Sequence, residues 1–464
     1  MSVPEAKQPP PPLDPSLTPP PASRIRYRVL GLLALMTFVL YLDRICIAQA
    51  ETSIRRDLGL TKTQTGYIFA AFTLAYGLFE LPAGYLGDRY GSRRVLVRIV
   101  IWWSAFTALT GMATSYIQLL IVRFLFGAGE AGALPNAARV LQRWFPVTSR
   151  GRAHGLITTA MMLGGGLAPL VTAWLIGAVG WRMSFLVLGV IGVVWATAFG
   201  IFFREIPAEH PLVNDGELAL IAAGRDRADA PDAHGASAAG LSTPWRAIFT
   251  SVDFWLLGAL MTCSAAVVYM LISWMPTYFK EARGLSDRAA GLNTTIVLLG
   301  GAAGCLLGGF SADWLVARLR RSAAWRLMGV SAYLVAASAL MWGLRADNLA
   351  ACTGCLSLCC LAVHTQVPAW WGTMTHISGR HVGVLFAMGN SLGVPAAMAS
   401  QIVLGTMSDE LGRQGYTGRA AWDPLLTQYG LVLLAGAVLW MLVRPDRANI
   451  DRVEPSPSEP TTGQ

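Results

Sequence analysis

Asp43, Arg44, Arg123 and Glu130 are four charged side chains set inside runs that otherwise read as membrane-spanning helices. An ionisable group at the centre of such a helix costs about 2.5–3.5 kcal/mol on insertion scales, so charges kept there commonly line a substrate or ion path. Arg123 and Glu130 are seven residues apart, two turns and about 10.5 Å of rise, so they share a face without reaching each other. Asp43 and Arg44 are adjacent, which on a helix also keeps them from facing each other. A local ion pair within one helix therefore does not explain the set, and a cross-helix pair such as Asp43 with Arg123 stays open. Arginine's planar fork holds a carboxylate through two parallel hydrogen bonds and stays charged at any working pH. A buried carboxyl beside an arginine gains or loses a proton as the surrounding charges change. The reading is that Arg44 and Arg123 grip an anion while Asp43 and Glu130 carry protons. With both acids ionised the four charges cancel; with both protonated the site is positive and ready for an anion.

The elements that must position these residues are membrane helices. Hydrophobic residues make up 54% of the chain and charged residues 14%, against about 25% charged in soluble proteins. Apolar runs of around 20 residues, enough to cross about 30 Å of hydrocarbon, are expected near 28–48, 64–86, 94–113, 116–138, 152–176, 183–203, 253–279, 290–312, 324–344, 350–372, 382–408 and 423–443. The fold class is an all-α membrane protein of 12 transmembrane helices. Both termini are expected to be cytoplasmic: on that assignment the inner segments hold 23 of the 36 Lys and Arg and the outer loops 10, a positive-inside bias. The same bias accounts for the net charge of +9. No basic stretch interleaves with exposed aromatics as a single-strand nucleic-acid groove requires, so no nucleic-acid partner is expected.

Residues 1–23 contain nine prolines and no apolar core, so they read as an extended tail rather than a signal peptide. Residues 24–203 form a first six-helix bundle, 204–250 a cytoplasmic linker, 251–445 a second six-helix bundle and 446–464 a polar tail. The seven cysteines lie in or beside the apolar runs and read as small buried fillers; Cys352, Cys355 and Cys359 share a helix face, but neither metal site nor disulfide is expected. His364 reads as a hydrogen-bonded packing histidine. Glu80, beside Pro82, reads as part of a gate network with a loop arginine.

An internal repeat marks the two halves. Gly84-Tyr-Leu-Gly-Asp88 follows the second run and Gly309-Phe-Ser-Ala-Asp313 the eighth, each ahead of an arginine cluster, as two parallel six-helix repeats would place them. The string from Gly84 through Asp88, Arg89, Gly91, Arg93 and Arg94 resembles the loop motif of the major facilitator superfamily (MFS). The resemblance implies the MFS fold of two pseudo-symmetric six-helix bundles. It also implies a cytoplasmic gate formed by Gly84, Asp88, Arg89, Arg93, Arg94 and Asp313.

Within that superfamily the chain is similar to the anion:cation symporter family and its bacterial sugar-acid branch. The similarity is carried by Tyr41-Leu-Asp43-Arg44, the string from Arg123 through Gly127, Gly129 and Glu130 to Pro135, Trp144-Phe145-Pro146 with Arg150-Gly151-Arg152, and Gly389-Asn390. It implies that Tyr41, Tyr76 and Asn390 join Arg44 and Arg123 around substrate, and that Trp371 stacks on a sugar face. The implied function is import of a small organic anion, an aldonate, aldarate or hexuronate, by proton symport through alternating access in the inner membrane. An exchanger or uniporter of another small carboxylate is the alternative. The partners are then a small anion, protons and the lipid bilayer, with the chain acting as a monomer.

Three departures bear on selectivity. His376 stands where the sugar-acid branch usually has Asp, Trp370 where a small polar residue is usual, and residues 254–279 lack the arginine of the vesicular glutamate branch. A drug:proton exporter of the same fold is disfavoured because paired membrane arginines repel cationic drugs, and Gly164-Gly165-Gly166-Leu-Ala-Pro169 replaces the exporters' glycine-proline signature. The tails leave no room for a sensor's output domain. No nucleotide loop, metal cluster or nucleophile motif is present, so neither enzyme nor cofactor is expected.

Overall fold

The computed structural model describes residues 22–222, 245–378 and 381–444, apart from the side chains of Leu81, 84–88, Val382 and Gly383. The two tails, the middle of the linker, Arg380 and the side chains of Gly84 and Asp88 lie outside the described residues. Among the described residues there is no strand. The helices are α1 (Ile25–Leu58), α2 (Lys62–Tyr90), α3 (Ser92–Gly111), α4 (Tyr116–Glu130), α5 (Ala133–Trp144), α6 (Val147–Phe202), α7 (Asp215–Ala222), α8 (Trp245–Thr250), α9 (Val252–Glu281), α10 (Asp287–Val316), α11 (Arg321–Arg345), α12 (Leu349–Thr365), α13 (Val367–Ser378), α14 (Val382–Ser391), α15 (Gly393–Arg413) and α16 (Arg419–Leu442).

Nine of these are long and apolar enough to cross a membrane when α4 is taken with α5 and α12 with α13. Serine and asparagine begin several of them: Ser115, Ser251, Ser286 and Asn348 each accept a backbone N–H of the first turn, satisfying donors that hydrocarbon cannot. The 56-residue α6 accounts for the fifth and sixth expected runs. It breaks at Gly180, where φ is 77°, a backbone region that costs an L-residue with a side chain but not glycine.

The fourth expected span is truly broken at Ala131 and Gly132, whereas the tenth and eleventh are divided only at Gln366 and Leu392, which keep helical φ/ψ. α4 ends at Glu130 and α5 restarts at Ala133; α12 ends at Thr365 and α13 restarts at Val367. Discontinuous helices at membrane depth are tolerated where they line a cavity, and they free backbone groups for solutes.

The halves meet through α2 on α15, α6 on α10 and α1 on α9. At the α2–α15 seam a Cβ on Gly66 would lie 2.6 Å from the Gln401 carbonyl oxygen, so glycine is what lets these backbones touch. The end that sequence assigns to the outside is latched by polar groups. Glu51 accepts from Arg55 and from Thr277, both at 2.8 Å, and Arg55 reaches Glu281 as well. Lys62 pairs with Glu281 at 2.8 Å, and Asp409 accepts from the Lys62 and Thr63 amides. Lys280 donates to the Gln49 carbonyl at 2.6 Å. Removing one member of such a network releases the rest. Arg55→Ala with Glu281→Ala is expected to shift the protein toward an outward-open state, read as at least a tenfold faster labelling of Cys introduced at Thr277 from the outer side; unchanged labelling would refute the latch.

The first part of the expected linker, up to Ala222, is folded against the first bundle. Asn214 and α7 fold back onto the start of α1, where the buried Glu217 carboxylate accepts from the Ile25 and Arg26 amides at 3.1 Å and pairs with Arg26 at 2.9 Å. Breaking a buried pair costs about 3–5 kcal/mol because the partner charge stays behind. Glu217→Gln is accordingly expected to lower thermal stability in detergent by several degrees; a shift below about one degree would show the contact to be peripheral.

Candidate functional site

α2 packs along α4 and touches α1, and long side chains reaching between these helices bring three of the four membrane charges into one cluster. Arg44 places Nε 3.3 Å from both carboxylate oxygens of Glu130, so the pair that forms is Arg44 with Glu130 across helices. The Arg44 guanidinium is held between aromatic rings, 4.5 Å from the centroid of Tyr41, 4.6 Å from Tyr76 and 5.2 Å from Phe72. Such cation–π contacts fix its plane without using its N–H donors. Its Nη2 has no hydrogen-bond partner. Arg123, 2% exposed, sits over Phe126 at 4.4 Å and Phe72 at 5.2 Å, and its Nε is also without a partner. Arg44 and Arg123 both line a central cavity of about 170 Å³, together with Tyr41, Phe72, Tyr269, Ser273, His364 and Gln401.

Asp43 stands apart from this cavity. It points into the first bundle, 1% exposed, with the Trp103 indole and Thr107 hydroxyl of α3 as its neighbouring donors and, among the described residues, no basic group paired with it. Glu130 is equally buried, behind Arg44 rather than on the cavity wall. Two of the four residues thus face solute space and two stand in the protein behind them. Two arginines lining one cavity, each with an N–H donor that no protein group accepts, are an anion site in chemical terms. Two carboxyls shielded from water behind them are suited to exchange protons while substrate covers the arginines.

A second cavity, about 700 Å³, opens between the halves on the inner side of the first. Asn390 and Trp371 line it together with Ser264, Gln366, Trp370 and Glu80. Trp371 is 57% exposed there, its ring 5.1 Å from Phe386. Trp370 is mostly buried and donates to the Leu257 carbonyl at 2.9 Å, so at this departure from the sugar-acid pattern a fixed, bulky ring forms part of the cavity wall. His376 faces away, its ring 6.0 Å from that of Trp325 on α11, and lines neither cavity. Glu80, expected in the gate network, lies on the inner cavity wall instead.

The expected gate residues are held within their own half. Arg93 donates its side chain to the Gly200 carbonyl and its amide to Glu205 at 2.8 Å, Arg143 pairs with the same Glu205, and Arg89 lies over Tyr90 at 5.5 Å. Arg94 and Asp313 are exposed. Among the described residues, Arg89, Arg93, Arg94 and Asp313 make no hydrogen bond or ion pair across to the second half.

Sequence reasoning missed most of the second-half wall. Gln401 accepts from Thr73 of α2 at 3.1 Å and donates to Ser273 of α9 at 3.0 Å, joining the halves directly above the central cavity. His364 does bond to the Cys360 carbonyl at 2.8 Å as a packing histidine would, but it also lines the central cavity. A buried glutamine in an apolar run was the available signal for Gln401; Tyr269 and Ser273 carried none.

The sequence profile of the Major Facilitator Superfamily matches residues 33–400. A probable sulfoacetate transporter of Cupriavidus necator is 31% identical, with 91% of this chain aligned to 94% of that one. A probable galactarate/D-glucarate transporter of Escherichia coli K12 is 29% identical over 83% and 89% of the two chains, and a D-galactonate transporter of Escherichia coli O6:H1 is 27% identical over 91% and 96%. Among solved structures, a bacterial homologue of the lysosomal transporter Spinster, inward-facing and occupied, superposes with a TM-score of 0.72 at 21% identity, covering 94% of this chain and all of that one. A D-xylose–proton symporter gives 0.70 at 15% identity, covering 91% and 99%. Helical architecture, a broken cavity-lining helix and near full-length matches to transporters agree: this chain is a multi-pass inner-membrane transporter, not an enzyme, and belongs to the Major Facilitator Superfamily.

Proposed function

We propose that the protein imports a small organic anion, a sugar acid by preference, together with protons. Arg44 and Arg123 hold the acid group in the central cavity, Tyr41 stacks beside Arg44, and Tyr76 keeps that guanidinium in plane. Asn390 and Trp371 receive the anion as it moves inward, and Asp43 and Glu130 carry the protons. The two bundles rock about this site, closing the outer latch when the inner cavity is open. The observation that carries the reading is that Arg44 and Arg123 line one cavity and that Arg44 Nη2 and Arg123 Nε have no protein acceptor.

The relatives' names support this substrate class: galactarate, D-glucarate and D-galactonate are sugar acids. A second reading, a short sulfonate or carboxylate such as sulfoacetate, is favoured by the relative carrying that name and by the size of the cavity. At about 170 Å³ it falls below the 300–1,000 Å³ usual for drug-sized ligands. Uptake into proteoliposomes of D-galactonate, galactarate, glucuronate and sulfoacetate, with and without an inward proton gradient, tests both. Accumulation of a six-carbon acid supports the first reading, accumulation of sulfoacetate alone the second, and failure of all four refutes the anion class.

A further inference from the structure

Glu80 is a membrane-depth carboxyl with no role in what has been derived so far. It lies one turn along α2 from Tyr76, half-buried on the wall of the inner cavity. Among the described residues it is the only charged side chain lining that cavity; the polar groups across from it, Ser264, Gln366 and Asn390, are neutral. It forms no hydrogen bond or ion pair there. The charged and titratable groups that face it are Arg44 from α1, Tyr76 from its own helix and Tyr269 from α9. α5 presents only Leu134 and Pro135, and α13 and α14 present Trp371 and Asn390.

This placement changes the charge of the transport path. Arg44 stands between two carboxyls, Glu130 in direct contact and Glu80 on the inner side. The first-half charges cancel when all are ionised; with Glu80 included the ionised path carries one net negative charge. An anion leaving the two arginines must then pass a carboxylate in a space of low dielectric, where like charges repel strongly. A neutral, protonated Glu80 removes that barrier. A membrane-depth carboxyl with no partner marks a site where proton binding has a use.

We propose that Glu80 is a proton-binding residue that governs release of the anion to the inner side. It holds a proton while the anion moves from Arg44 and Arg123 into the inner cavity. It then gives that proton to cavity water, and the carboxylate that remains repels the anion from re-entering. The proposal rests on the reading of this chain as an anion importer.

Two measurements test it. In proteoliposomes loaded with D-galactonate or sulfoacetate, the inner-face KM of the wild type is expected to rise with inner pH, by up to about tenfold per unit once Glu80 ionises. Glu80→Gln is expected to hold the low-pH value throughout, varying less than about twofold, and Glu80→Asp to restore the dependence. The same pH dependence in Glu80→Gln as in wild type would overturn the proposal. Infrared difference spectra of the purified protein, titrated without substrate, give the second readout. A carboxylic-acid band that titrates in wild type and is lost in Glu80→Gln supports the proposal, and a band unchanged by the substitution overturns it. Should the wild type carry no organic anion, the importer reading fails on transport while the infrared titration still decides whether Glu80 binds the proton.

Discussion

Replacing Arg123 by Gln is expected to weaken anion uptake by more than about a hundredfold, seen as a rise in KM or as loss of measurable transport. Arg123 is 2% exposed, stacks on Phe72 and Phe126 and lines the central cavity. Losing one partner of a desolvated charged contact costs about 2–5 kcal/mol, and each 1.4 kcal/mol is tenfold in affinity. Glutamine keeps a donor and much of the volume but has neither the charge nor the fork. Arg123→Lys separates these causes: it retains the charge but cannot make two parallel hydrogen bonds. A lysine variant that recovers only partly supports bidentate capture. If Arg123→Gln transports with wild-type KM, Arg123 is structural and the anion is held elsewhere.

Glu130→Gln is expected to uncouple accumulation from the proton gradient. Each proton moved inward with the substrate contributes about 1.4 kcal/mol per pH unit, or tenfold in accumulation. Removing one carrier should therefore cut the accumulation ratio about tenfold at a gradient of about one unit. The membrane potential adds about 2.3 kcal/mol per 100 mV only for net charge carried, so collapsing the potential at constant pH gradient reports how many protons exceed the anion's charge. Glutamine retains an oxygen that can accept from Arg44 Nε, which both Glu130 oxygens approach at 3.3 Å in the wild type. Substrate counterflow should therefore survive in the variant while the accumulation ratio falls. A Glu130→Gln protein that still concentrates substrate as the wild type does would remove Glu130 from coupling. Asp43→Asn, tested in parallel, addresses the second buried carboxyl, beside Trp103 and Thr107.

The residues that could be read from the sequence were those whose type is costly in a membrane. Asp43, Arg44, Arg123 and Glu130 stand out because few charges interrupt the apolar runs, and the seven-residue spacing on α4 ruled out a direct pair there. The sequence left open which partners meet across helices. It allowed Asp43 with Arg123, whereas the structure pairs Arg44 with Glu130 and leaves Asp43 beside Trp103 and Thr107. Helical phase to within one residue decides that choice, and it depends on how α1, α3 and α4 pack.

Glu80 shows the same limit from the other side. Its position near the end of the second run suggested a gate contact with a loop arginine, yet the crossing of α2 with α15 turns it toward the inner cavity. The second-half wall was hidden for a further reason. Tyr269, Ser273 and Gln401 are neutral, and a neutral polar residue in an apolar run carries little cost and so little signal.

The sequence by itself determined the apolar runs, the basic bias of the inner side, the repeat of the Asp88 and Asp313 motifs and the identity of the charges in the membrane. These follow from composition and from the cost of placing charge in hydrocarbon, which act on each segment alone. Only the tertiary structure decided that Arg44 and Arg123 open onto one cavity, that Asp43 and Glu130 stand behind it, and that Glu80 lines the second cavity. It also showed the polar network that ties the halves together at the end assigned to the outside. Those facts depend on contacts between helices distant in sequence, where rotating one helix by a single residue moves a side chain from solute space into the packed interior.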